Sequence, residues 1–228
     1  PDKDVADDFP CASPASRGVT PAMAYRLSGK YWTPVSYALF FGFAERLRGM
    51  ASSATDILLT PNATSGEPIC EWVWLNADPD RISGVRFEAA AAAASGEFAD
   101  APKVKLHPVT SVVRHPTVRD VVGVKIPSVV LAELGAKGGP ALALQLSARF
   151  TLDIQPGLDG LYLSSWTDNN GVSHNMVASQ FEATSARKAF PCVDQPDPKA
   201  TFHVSAGCKS CAGYTTLGNM PVRQKVTS

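Results

Sequence analysis

The side chains of Tyr37, Leu39, Phe41 and Phe43 fall two residues apart, the period at which a strand returns to the same face. Alternation is longest in residues 141–154, where Leu142, Leu144, Leu146, Ala148 and Phe150 share one face. Residues 69–75 (I-C-E-W-V-W-L) are aromatic and β-branched and lie between turn formers, a composition that favours a strand. Shorter stretches at 82–87, 104–106, 111–114, 118–124, 161–166, 176–182 and 200–204 read the same way. Helical periodicity is nearly absent. Residues 128–134 fit one or two helical turns closed by Gly135. The alanine-rich run 89–94 has helical propensity but is too short to stand alone, so a strand end or a loop insertion is expected there. Regularly spaced strands, turn-rich joints and no repeat or heptad predict an all-β protein, a curved antiparallel β-sandwich with little helix.

Composition agrees with a packed domain and narrows the function classes. The chain has 228 residues, 45% hydrophobic and 18% charged, enough apolar material for a real core. Residues 1–20 are rich in Pro, Ser, Ala and Asp with few large apolar groups and read as a flexible arm or linker. Residues 21–228 then form the sandwich. Lys+Arg and Asp+Glu are each 21, for a formal net charge of zero. That balance argues against a nucleic-acid partner, which selects a basic excess or stripe. No run approaches the roughly 18 apolar residues of a membrane span. The chain starts at Pro1 rather than Met, as a processed or excised product does, and its compartment is not legible from that end.

The five cysteines, Cys11, Cys70, Cys192, Cys208 and Cys211, are odd in number and scattered, which does not read as a disulfide framework. Cys208 and Cys211 are the one close pair. Zinc binding and dithiol redox chemistry are open to such a pair, but no second Cys or His pair lies nearby at ligand spacing, and His203 is expected on a strand face. An exposed hairpin with a surface disulfide is the favoured state. Asn62-Ala63-Thr64 has the acceptor pattern for N-glycosylation, which matters only in a secreted chain.

Residues 158–221 carry the most specific signal. They read L-D-G-L-Y-L-S-S-W, then S-Q-F-E-A-T-S-A-R-K-A-F-P-C-V-D-Q-P-D-P-K-A-T-F, then G-Y-T-T-L-G-N-M-P. This resembles the aminopeptidase N family of zinc metallopeptidases in order, spacing and more than a dozen identities. Pro34 to Phe43 and Trp74-Leu75-Asn76-Ala77 resemble earlier parts of the family's N-terminal domain, and residues 89–134 show little likeness. The sequence departs from the pattern at Gln195, where the family usually has Glu, and at Gly218, where it has Ser. Both positions are expected in turns. The resemblance implies the family's β-sandwich N-terminal domain, agreeing with the periodicity.

Read as a strand, Gln180-Phe181-Glu182 puts Gln180 and Glu182 on one face and Phe181 on the other. A carboxylate beside an amide suits recognition of a free α-amine, and it also suits an ordinary solvated strand face. The resemblance favours the first reading: it implies that Gln180 and Glu182 line the pocket for the N-terminal residue of a peptide substrate. Arg187 and Asp194 admit a catalytic pair or an internal ion pair pinning the turn between them, and the ion pair is favoured. Phe190, Pro191, Cys192 and Phe202 are expected in core and turn.

The resemblance implies a zinc in the parent enzyme and none held by this chain. The family's metal site needs His-Glu-x-x-His on a helix. The four histidines, His107, His115, His174 and His203, are neither followed by Glu nor spaced four apart. A thermolysin-like catalytic domain is therefore expected after Ser228, and no peptidase activity from the chain alone. The alternative is a non-enzymatic β-sandwich module, stand-alone or a subunit of an assembly. An exposed apolar patch around Gln180 and Glu182 would point to a missing catalytic partner.

Overall fold

The computed structural model describes residues 31–43, 47, 49–62, 69–91, 106–109, 111–115, 118–137, 142–154, 156–208 and 213–225. The expected arm at 1–20 lies outside them. The strands are β1 (Trp32–Phe43), β2 (Gly49–Pro61), β3 (Trp72–Asn76), β4 (Ile82–Ala91), β5 (His107–Pro108), β6 (Val112–Arg114), β7 (Val121–Lys125), β8 (Leu142–Ile154), β9 (Gly160–Thr167), β10 (Ser173–Gln180) and β11 (Thr201–Cys208). Two helices join them, α1 (Ser128–Lys137) and the single turn α2 (Ala186–Ala189).

A six-stranded sheet has the order β11-β1-β2-β8-β4-β5, a three-stranded sheet the order β3-β7-β6, and β9 and β10 form a separate ribbon. All the strand pairs are antiparallel except β1 with β11, which run parallel. The main core lies between the two larger sheets. Tyr37, Leu39 and Phe41 of β1, Ile57 and Leu59 of β2, and Leu144, Leu146, Ala148, Phe150 and Leu152 of β8 are buried in one cluster with Val73 and Leu75 of β3 and Val122 and Val124 of β7. Val130 and Leu134 of α1 join them. The β8 alternation expected from sequence is the alternation that packs. Fully burying each Leu, Ile, Val or Phe contributes about 1.5–3 kcal/mol, so this face dominates stability. The second face of the three-stranded sheet buries Cys70, Trp72, Trp74 and Val121 as a smaller cluster.

Several details differ from the sequence expectations. The thirteen-residue strand β2 carries no strong apolar alternation, because its inward positions include Ser53 and Thr55, both buried. The alanine run, by contrast, ends a strand as expected, with Ala89–Ala91 in β4 and the remainder outside the described residues. Helix α1 runs through Gly135 to Lys137. Strand β11 continues to Cys208, four residues past the expected end at 204. Phe202 was expected in core or turn and is 51% exposed. It lies on β11 at the sheet edge, where one flank has no neighbouring strand among the described residues, and covers Tyr37 by ring stacking at 4.8 Å.

The cysteine reading is corrected in part: Cys208 is disulfide-bonded, in keeping with the favoured disulfide at that pair, and Cys70 is disulfide-bonded too, against the expectation of no disulfide framework. The odd count arises because Cys192 is free and buried, packed as a small apolar side chain.

Candidate amine-recognition site

The ribbon β9–β10 positions the candidate site. Its register pairs Trp166 with His174, Ser164 with Met176, Tyr162 with Ala178 and Gly160 with Gln180. Directly paired residues share a face, so Gln180 lies on the face that carries Trp166 and Met176. Those two side chains are 54% and 45% exposed, an apolar surface open to solvent farther along the ribbon, with Met176 four residues from Gln180 and Trp166 opposite His174, six residues from it. The opposite face carries Leu161, Leu163 and Val177, which pack on the main core.

β10 ends at Gln180, so the strand expected through residue 182 stops two residues short. Phe181 leaves the ladder and packs edge-on against Phe190 at 5.8 Å. The turn that follows is closed by the Ser185 amide donating to the Phe181 carbonyl at 2.8 Å, and the Glu182–Ala183 peptide bond is cis. Turn closure competes with the ladder for backbone groups, which is why alternation overshot. Gln180 and Glu182 are exposed and Phe181 is half-buried, but with the strand ended at Gln180 the two polar side chains no longer share a strand face by alternation.

Behind Glu182 the chain is held rigidly. The Arg187 Nε donates to Asp194 Oδ2 at 2.8 Å, and its Nη2 donates to the Asp194 carbonyl at 3.1 Å. The pair is nearly buried, at 10% and 11% exposure, and closes the turn as an internal ion pair. The Cys192 and Asn76 backbones exchange two hydrogen bonds at 2.7 and 3.1 Å. The Asp194 amide donates to Asn76 Oδ1 at 3.0 Å, and the Val193 amide donates to the Tyr37 hydroxyl at 3.1 Å. Strands β1 and β3 thus clamp the turn that supports residues 180–182.

Electrostatics give these supporting groups no chemical task. Burial pushes the Tyr37 hydroxyl well above its ordinary range, with a further push from Cys192 and partial relief from the Val193 amide. Burial also raises the Cys192 thiol, Asp194 adding to the effect and Arg187 opposing it. Both stay protonated near neutrality and are poor nucleophiles. Phe190, Pro191 and Cys192 are buried, as expected.

Elsewhere, a cleft of about 260 Å³ is lined in part by Asp78, Arg81, Asp159, Arg187 and Lys188. Each of these cations already faces a carboxylate: Arg81 with Asp78 at 3.3 Å, Lys188 with Asp159 at 3.1 Å, and Arg187 with Asp194. Among the described residues no group of three or more His, Cys, Asp or Glu side chains converges as metal ligands, so no chemistry is derived through a metal in this chain. Cys208 is engaged in a disulfide, and its near neighbour Cys211 lies outside the described residues. No helix among the described residues is long and apolar enough to cross a membrane.

Residues 124–228 match the family model of the peptidase M1 N-terminal domain. The chain is 38% identical over 102 residues to aminopeptidase N of Lactobacillus delbrueckii subsp. lactis, covering 45% of this chain and 11% of that protein. It is 39% identical over 79 residues to puromycin-sensitive aminopeptidase of Caenorhabditis elegans, covering 35% of this chain and 8% of that protein. Human glutamyl aminopeptidase is 38% identical over 93 residues, or 41% of this chain and 9% of its own length. The match therefore spans about a tenth of the length of these relatives. The β-rich sandwich, the clamped turn after β10 and the matched stretch agree: through residues 124–228 the chain belongs to the N-terminal domain family of the M1 aminopeptidases.

Proposed function

We propose that this domain recognises the free N-terminus of a peptide on behalf of a zinc aminopeptidase, through Glu182 and Gln180. The supporting observation is local. Glu182 and Gln180 are exposed on either side of an anchored Phe181, and the face bearing Gln180 continues into the open side chains of Trp166 and Met176. A carboxylate held on a rigid turn makes a charge-assisted hydrogen bond to an ammonium group, and the neighbouring amide shapes the space for the first side chain. The open apolar face suits coverage by a catalytic partner.

The parent reaction is metal-assisted removal of N-terminal residues from peptides. The zinc and its His-Glu-x-x-His belong to a thermolysin-like domain following Ser228, and residues 21–228 act as the recognition domain. Without that partner no metal-activated water is available, so the isolated chain is inactive. The test is an aminoacyl reporter assay on the purified chain with added zinc. No release above buffer is expected, and zinc-dependent release that a chelator abolishes overturns the reading.

A further inference from the structure

We propose that Asn62 is an N-glycosylation site and that the protein matures in the oxidising secretory pathway. The two halves of this inference rest on different residues. Cys70 and Cys208 are both disulfide-bonded, and they lie at opposite ends of β1. The Cys70 carbonyl accepts from the Trp32 indole at 3.2 Å, whereas Cys208 pairs with Phe43. The twelve residues of β1 span roughly 36 Å at about 3.3 Å per residue, far beyond the Cα separation of about 4–7 Å that one bridge tolerates. The two cysteines therefore belong to separate bridges. Two disulfides in one domain are rare in a glutathione-reduced compartment and usual along the secretory route.

In that compartment the acceptor pattern Asn62-Ala63-Thr64 acquires meaning, since its middle residue is not proline. Asn62 directly follows the last residue of β2 and is exposed. Its amide donates to the Tyr31 carbonyl at 2.9 Å, closing the β1–β2 ladder. The Thr33 hydroxyl donates to Asn62 Oδ1 at 2.5 Å, so the side chain of Asn62 is held at the end of the ladder.

The transfer uses a polyprenyl-diphosphate-linked oligosaccharide. Asn62 Nδ2 forms a bond to the anomeric carbon of the first sugar, that carbon's bond to phosphate oxygen breaks, the polyprenyl diphosphate leaves, and Nδ2 gives up one proton.

The experiment is peptide mapping of the full-length protein from its natural source, before and after peptide N-glycosidase in heavy-oxygen water, with thiols alkylated before reduction. The expected result is a glycan on the Asn62 peptide, a heavy-oxygen deamidation at that residue on release, and no alkylation of Cys70 or Cys208. An unmodified Asn62, or alkylated Cys70 and Cys208, overturns the proposal. Secretion from a eukaryotic host adds a second arm. Thr64→Ser keeps the modification, and Thr64→Ala loses it while leaving Asn62 in place. Modification that persists in Asn62→Gln places the glycan on another residue and equally overturns the proposal.

Discussion

Arg187 and Asp194 hold each other across a turn, nearly buried and joined by three hydrogen bonds, one of them from the Arg187 amide at 3.3 Å. Removing one partner of such a pair strands the other charge away from water, which costs on the order of 3 kcal/mol. Arg187→Ala should therefore lower the unfolding free energy by about that amount, read by urea denaturation. In the complete enzyme, KM should stay unchanged under conditions where the variant remains folded. His115 acts in the opposite sense. Burial lowers its pKa below the ordinary 6.5, and its Nδ1 accepts the Val118 amide at 3.2 Å, which only an unprotonated Nδ1 can do. The unfolded chain takes up a proton near pH 6.5 that the folded chain refuses. The contribution is therefore fully present above that pH and declines as the pH falls below it. Thermal melts from pH 7.5 to 5.5 should show a falling midpoint for the wild type and a shallower fall for His115→Gln. Parallel slopes would count against the assignment.

At the scale of elements, legibility followed side-chain chemistry. Strands whose inward positions are large and apolar, such as β1 and β8, were readable because burial and alternation coincide. β2 was not, since Ser53 and Thr55 occupy inward positions that a sequence reading takes for solvent-facing ones. The parallel pairing of β11 with β1 had no local signal, because register between distant segments is a tertiary property. The end of β10 was overrun for a related reason: residues 180–182 alternate in polarity, yet the backbone turns after Gln180 to meet α2. That junction is tight. Gly160, paired with Gln180, has φ +65°, and a Cβ there would sit 3.0 Å from the Lys188 Cβ. Gly160→Ala thus combines a left-handed backbone with a crowded neighbour and should cost about 1–3 kcal/mol, measured by denaturant melts. A neutral result would mean that the ribbon is free to shift away from α2.

For the whole molecule, the family and the fold were legible together, since the stretch 158–221 carries both the distinctive motif and the turn that the two sheets clamp. A disulfide at Cys208 was legible and that at Cys70 was not, because an odd, scattered count, to which the buried free Cys192 contributes, argued against a framework. The exposure of Gln180 and Glu182 on either side of Phe181 was legible, but their setting was not: the open Trp166 and Met176 on the ribbon face that ends at Gln180 follow from register rather than from any motif. What the fold supplies is an exposed carboxylate on a turn anchored by Phe181 and Ser185, and the central claim is that this carboxylate reads the substrate's amine. The most direct measurement is kcat/KM for an aminoacyl reporter with the complete enzyme, wild type against Glu182→Gln. Losing a charge-assisted hydrogen bond of about 1.5–3 kcal/mol predicts a fall of roughly ten- to a hundredfold, with the thermal midpoint unchanged because the side chain is exposed. An unchanged kcat/KM in a folded variant would contradict the account.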